Sequence, residues 1–135
     1  MATAQAIAKE IRHAPRKVGE IAALVRDRSV DDALVILTHT PRRAAEPVRK
    51  VIESAAANAT NNHKIKRDGL MIESIEVGVG TSLKRFRPAA SGMAKPYKRR
   101  NSNIKVVVSG QAKPDKKKPV KKSTTDAKQS KKVTA

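Results

Sequence analysis

The sequence of 135 residues predicts an α+β fold: one small domain of helices and strands from which a long basic hairpin projects. Three observations predict it. Apolar residues recur at helical spacing in three segments of the first half. Two later segments, MIESIEVGV and IKVVV, alternate at the period of a strand. Between them lies LKRFRPAASGMAKPYKRR, with seven basic residues, no acidic one, two prolines and one glycine.

The elements follow in chain order. Near the N-terminus Ile7, Lys9 and Ile11 alternate weakly. Pro15 suits the first position of a helix, because its missing N–H is one the helix leaves unused, and Val18, Ile21, Ala22 and Val25 then fall on one face up to about Arg26. Ser29 with Asp32 forms a capping arrangement for a second, short helix carrying Val30, Ala33, Leu34 and Leu37, which ends at the Thr40-Pro41 punctuation. A third helix, the longest, carries Ala44, Val48, Val51, Ile52, Ala55, Ala56 and Ala59 and ends near Asn61; Pro47 either kinks it or marks where its regular part begins. Its largely alanine stripe lets another element approach closely.

RDG, residues 67–69, is a turn signal. After it, alternation puts Met71, Glu73, Ile75, Val77 and Val79 on one face of a strand and Leu70, Ile72 and Ser74 on the other. Ile104, Val106 and Val108 give a second strand of β-branched residues. The two are separated by about 24 residues, long for a structureless loop in a compact domain. If they pair antiparallel, each arm continues some 10 residues past the sheet, a reach of roughly 30 Å. The domain then spans residues 1–112 with a hairpin extension at 80–103.

Charge separates these regions. Residues 1–77 hold 13 basic and 10 acidic side chains, residues 78–112 hold 8 basic and no acidic ones, and residues 113–135 hold 9 Lys against 2 Asp, for a formal total of +18. The first region reads as an ordinary globular surface, whereas the other two carry charge that nothing in the chain neutralises, and a polyanion is the expected partner. The tail at 113–135, whose cations are all Lys and which is nearly free of apolar residues, is expected to be disordered. The hairpin mixes Arg, Lys, Pro and Gly with Phe86 and Tyr97, the protein's only aromatics. So few aromatics make phosphate contact and shape, not base stacking, the main expected mode, which favours folded RNA.

Other classes are disfavoured. There is no cysteine, hence no disulfide, thiolate nucleophile or Cys-based zinc site. His13, His39 and His63 lack metal-ligand spacing. GVGTSL lacks the spacing of a phosphate-binding loop. Asp31 and Asp32 are neighbours that cannot face each other on a helix, and Glu73 and Glu76, an odd number apart on a strand, are expected on opposite faces. No enzyme, no cofactor and no small-molecule substrate are expected. Without an apolar leader or a run of about 18 apolar residues, a cytoplasmic protein without a membrane partner is expected. The competing reading is a DNA-architectural protein with a basic arm and tail; such arms belong to dimers, whereas the apolar stripes here suffice only to cover one another, which favours a monomer.

Five segments occur in order: APRKV, ALVIL, TPRRAAEPVRKV running into SAAANATNN, LKRFRP, and NIKVVVS. Together they resemble the bacterial large-subunit ribosomal protein family numbered twenty-two, over roughly residues 5 to 110. The resemblance implies three helices packed on a three-stranded antiparallel sheet. It implies binding and organising large-subunit ribosomal RNA, with neighbouring large-subunit proteins near the tunnel exit as partners and the hairpin tip at the wall of the nascent-peptide tunnel. It casts Arg16, Lys17, Asn58, Asn61, Asn62, Lys84, Arg85, Arg87, Pro88, Gly92, Lys98 and Arg99 as RNA-facing, and Arg12, His63, Lys64, Lys95 and Arg100 complete the candidate set. Asn61 and Asn62 equally suit helix termination. The tunnel-tip candidates are Ala89, Ala90, Ser91, Gly92, Met93 and Ala94, where the family usually carries three arginines.

Overall fold

The computed structural model describes residues 2–67 and 69–110. The Lys-rich tail, residues 111–112 and Asp68 of the turn signal lie outside the described residues. The order of elements is β1 (Ala2–Ile11), α1 (Pro15–Val25), α2 (Val30–His39), α3 (Ala45–Asn61), β2 (Met71–Pro88) and β3 (Ala94–Gly110). The three strands form one antiparallel sheet in the order β1-β3-β2, with helices on one face, as the α+β expectation required.

Local chemistry sets the helix boundaries. Pro15 opens α1. Ser29 caps α2: its Oγ accepts from the Asp32 N–H at 3.2 Å and its hydroxyl donates to Asp32 Oδ2 at 2.6 Å. Pro47 lies in the first turn of α3, where its missing N–H costs no hydrogen bond, so it marks the start of the helix and does not kink it. Val18, Ile21 and Val25 of α1, Val30 and Leu37 of α2, and Val48, Ile52, Ala55 and Ala59 of α3 meet Ile72, Ile75, Ile104, Val106 and Val108 of the sheet in one core. The segment joining α1 and α2 pairs with the start of β2, the Val30 N–H donating to the Leu70 carbonyl and the Ile72 N–H to that of Arg28, both at 2.9 Å.

The structure completes the reading of β1 and corrects that of β2. In β1 the face toward the core is Ala4 and Ala6 with Ala8 partly covered, while Ile7 is 53% exposed. Alanine faces inward because the alanine stripe of α3 packs on this strand, and small residues on both sides let helix and strand come close. In β2 strict alternation fails: the register shifts between Ile72 and Ser74, so Glu73 is a bulge, Ile72 and Ile75 both point into the core, and Glu73 and Glu76 are both exposed.

Past the core, β2 and β3 continue as a two-stranded arm. Val79 still opposes Ser102, and the pairing runs on through Lys84 with Lys98 and Phe86 with Pro96 to Pro88 with Ala94. Eight residues of β3 thus project beyond Ser102, roughly 25 Å at the rise of a strand. Nearly all of the long stretch between the two apolar segments is therefore strand. The turn is confined to Ala89–Met93, with one 3-10 turn at Ala90–Gly92 in which Ser91 (φ 59°) and Gly92 (φ 69°) are left-handed.

Candidate nucleic-acid interface

The arm leaves the sheet at a built junction. Both edge strands are irregular there: the register shifts between Ala8 and Ile11 in β1 and between Val79 and Ser82 in β2. In the β1 irregularity Glu10 takes φ 57°, a conformation that a residue with a Cβ holds only when its surroundings enforce it. The surroundings are the arm. The Thr81 N–H and hydroxyl donate to Glu10 Oε1 and Oε2 at 3.2 and 2.5 Å, and Asn101 Nδ2 donates to Oε2 at 3.0 Å. The Glu10 N–H in turn donates to Asn103 Oδ1 at 2.9 Å. One side chain of β1 therefore grips both strands of the arm at its root. The donated bonds, from the Thr81 hydroxyl first, then Asn101 and the Thr81 backbone, hold the Glu10 carboxyl below its ordinary 4.5.

Gly80 stands opposite. A Cβ there would lie 3.1 Å from the Asn101 carbonyl carbon and 3.2 Å from the Ser102 nitrogen, so the β2 bulge closes on β3 without room for a side chain. Sequence reasoning missed Glu10 because its partners Thr81 and Asn101 lie 71 and 91 positions away.

Beyond the junction the arm carries cations on both faces. Cross-strand partners share a face, so Lys84 with Lys98 and Phe86 with Pro96 lie on one face, and Leu83 with Arg99, Arg85 with Tyr97 and Arg87 with Lys95 on the other. The Arg87 guanidinium stacks 4.6 Å over the Tyr97 ring. Among the described residues, none of Lys84, Arg85, Arg87, Lys95, Lys98, Arg99 and Arg100 forms an ion pair. Five acids of the body are paired with cations of the body instead: Glu20 with Arg42 (2.8 Å), Glu46 with Lys50 (2.8 Å), Glu53 with Arg49 (2.9 Å), Asp31 with Arg67 (3.8 Å) and Glu76 with Lys105 (3.4 Å). Seven positive charges are thus presented on a narrow ladder without internal compensation, as a ligand for phosphates would be.

The other candidates divide in two groups. Arg12, Arg16 and Lys17 are exposed just after Ile11, which pairs with Ser102 at the root of the arm, so they extend the basic surface onto the body. Arg16 lies 3.9 Å from Glu20 but keeps 93% of its side-chain exposure. Asn61 closes α3 and Asn62, His63 and Lys64 follow it, where Ile65 packs at Gly110. Gly110 pairs with Ala2 at the far end of the sheet, roughly 25 Å from the arm's root. Asn58 has a structural partner: its Nδ2 donates to the Gln5 carbonyl at 3.0 Å, tying α3 to β1. The Asn62 N–H donates to the Asn58 carbonyl, ending the helix. The tip, Ala89 to Ala94, carries no charge, and Met93 is 69% exposed there. Among the described residues there is no cluster of metal-ligating side chains and no helix long and apolar enough to cross a membrane.

A family model described as ribosomal protein L22p/L17e matches residues 6–109. The large ribosomal subunit protein uL22 of Clostridioides difficile (strain 630) is 50% identical over 105 residues, covering 78% of this chain and 95% of its own length. Proteins of the same name from Desulfitobacterium hafniense (strain Y51) and Pediococcus pentosaceus are 46% and 49% identical, over 80% and 79% of this chain and 95% and 91% of their own lengths. The matched region ends with β3, so the likeness covers body and arm alike.

Proposed function

Since the chain belongs to the L22p/L17e family of ribosomal proteins, we propose that its arm enters and organises large-subunit ribosomal RNA during assembly and that the tip reaches the wall of the nascent-peptide exit tunnel. The coarser statement follows from the family itself: the protein is a structural constituent of the large ribosomal subunit, in the cytoplasm, and not an enzyme. Its partners are ribosomal RNA and other ribosomal proteins, and the DNA-architectural alternative loses its footing.

One observation carries the finer reading. All seven cations of the arm lack a carboxylate partner among the described residues, whereas five acids of the body pair with cations of the body. Such a ladder repels itself and gains free energy against a polyanion that surrounds it, by releasing counterions. Its breadth of two strands fits a passage between RNA helices, and Arg85, Arg87, Arg99 and Arg100 supply forked donors on a stiff support. Arg12, Arg16 and Lys17 continue the contact at the root, while Asn61, Asn62, His63 and Lys64 form a separate, smaller contact at the other end of the sheet. Apart from the exposed Met93 the tip residues are small, and the tip presents no charge to a passing peptide. The protein acts in this reading as a single copy, as one domain with the arm at 80–103, beside its neighbours at the tunnel exit.

Sedimentation of lysate through a sucrose gradient in high salt, with immunodetection of the chain, tests the reading. A threaded arm keeps the protein with the large subunit, because it cannot leave when surface contacts weaken. Release to the top of the gradient at moderate salt would mean a loosely held surface protein and would sink the proposal.

A further inference from the structure

The two faces of the arm differ in a way that charge alone does not explain. On one face the arm's tyrosine is already occupied: Arg87 covers the Tyr97 ring, and Tyr97 is the only residue of the arm's outer part that is partly shielded from solvent. On the other face Phe86 is open, with 69% exposure and, among the described residues, no ring or cation stacked on it. Its cross-strand partner is Pro96, so the pair forms a small apolar platform. A groove of about 550 Å³ lies over it, lined by Lys84, Phe86, Pro96, Tyr97, Lys98 and Arg100. The Lys84–Lys98 pair lies one pleat repeat from the platform, roughly 7 Å along the ladder, within reach of a long side chain.

We propose that this groove is a nucleobase subsite, in which an unpaired base of the RNA stacks on Phe86 and Pro96 while Lys84, Lys98 and Arg100 hold the phosphates that flank it. The inference rests on the arm's being an RNA-binding element and adds the chemistry of one site on it. A phosphate backbone alone would cover the cations and leave the ring and the proline against water. An acidic peptide would likewise satisfy the charges only. A nucleotide supplies both halves, a flat apolar face and adjacent anionic groups, and the base must be unpaired because in a helix its faces are taken by its neighbours. The opposite face, with Arg85, Arg87, Lys95 and Arg99, then serves phosphates.

The chain has no tryptophan, so Phe86→Trp in the full-length protein places a single tryptophan in the groove. Phe86 lies outside the core, and the substitution leaves folding intact. Tryptophan emission is followed during titration with a single-stranded adenosine oligoribonucleotide, with inorganic polyphosphate of matched charge, and with oligoglutamate; Leu83→Trp reports the opposite face. Stacking predicts strong quenching of the Phe86→Trp signal by the oligoribonucleotide, none by the other two polyanions, and little change at Leu83→Trp. A Phe86→Ala variant should bind the oligoribonucleotide about 10-fold more weakly with the same dependence on salt, since it gives up stacking and keeps every phosphate-binding cation. Equal quenching by polyphosphate, no quenching by RNA, or an unchanged affinity of Phe86→Ala would each overturn the subsite. Filter binding of the unmodified chain to a large-subunit ribosomal RNA transcript, run in parallel, separates the two claims. If that binding is tight and the tryptophan reports no stacking, only the subsite fails; if that binding is absent, the reading of the arm fails with it.

Discussion

In the body of the domain, Ile21, Ile52, Ile72 and Ile104 are shielded from water and five acids pair with nearby cations; in the arm every side chain of residues 81–100 except Tyr97 is exposed and no cation has a carboxylate among the described residues. Both have a defined shape, for different reasons. The body holds itself by burial, at about 25 cal/mol for each Å² of apolar surface removed from water, and its exposed ion pairs add little. The arm holds itself by the backbone ladder, by one cation stacked on Tyr97 and by the grip of Glu10 at its root. A two-stranded ribbon is marginal alone in water. The contrast teaches that folding and function have been given to separate residues, so substitutions should move one and spare the other.

The sharpest way to break that separation is to remove the arm's arginines. Changing Arg85, Arg87, Arg99 and Arg100 together to Ala should lower the slope of log affinity for ribosomal RNA against log salt by about 3, at roughly 0.7–0.9 for each phosphate no longer neutralised. At 0.1 M salt this amounts to binding about 1,000-fold weaker than the unmodified chain, a deficit that closes toward 1 M. Thermal unfolding of the body should stay where it was; a large fall would show that the arm packs on its own domain. The converse is Ile52→Ala, a fully buried residue of α3 whose truncation should destabilise the body by about 2–5 kcal/mol. Urea unfolding measures the loss, and the salt slope of whatever fraction remains folded should not change.

That separation also explains what was legible in the sequence. The helices, the Ser29 cap and the core strands announce themselves because burial and capping act at local, periodic spacings. The arm announced itself by charge, since a segment with seven cations and no acid is an anomaly wherever it folds. Hidden were the features that depend on partners far away in the chain. In β1 only a weak alternation of Ile7, Lys9 and Ile11 is legible, and the face that packs on α3 is made by Ala4 and Ala6; the Glu73 bulge shifts β2 by one residue without any marker in MIESIEV. Asn58, RNA-facing by resemblance, also ties α3 to β1 through the carbonyl of Gln5, a partner 53 positions away. Glu10 looked like one surface acid among many.

The smallest expected effects lie at the junction, where the two regions meet. Gly80→Ala presses a methyl group against the backbone of Asn101 and Ser102, and neither can swing away as a flexible side chain would. A cost of about 1–3 kcal/mol is expected, seen as lost amide protection around residues 79–82 and 100–103 with the helices unaffected. Glu10 offers the finer probe, because its grip depends on charge. Its carboxyl titrates below its ordinary 4.5 in the folded protein, so the stabilisation is complete above that value and is lost as pH falls through the depressed folded one. Amide exchange at Thr81 should therefore speed up, beyond its intrinsic change, only at acid pH, while the exchange of β3 amides facing the core stays slow. In Glu10→Ala that acid-dependent step should vanish, and NMR order parameters of residues 83–99 should be reduced at neutral pH, where those of the unmodified chain are highest. Affinity for ribosomal RNA should weaken several-fold with an unchanged salt slope, because the variant gives up orientation and keeps all of its phosphate-binding cations. If instead the arm of Glu10→Ala keeps its order parameters, the ladder alone sets its direction, and the body contributes nothing to where the arm points.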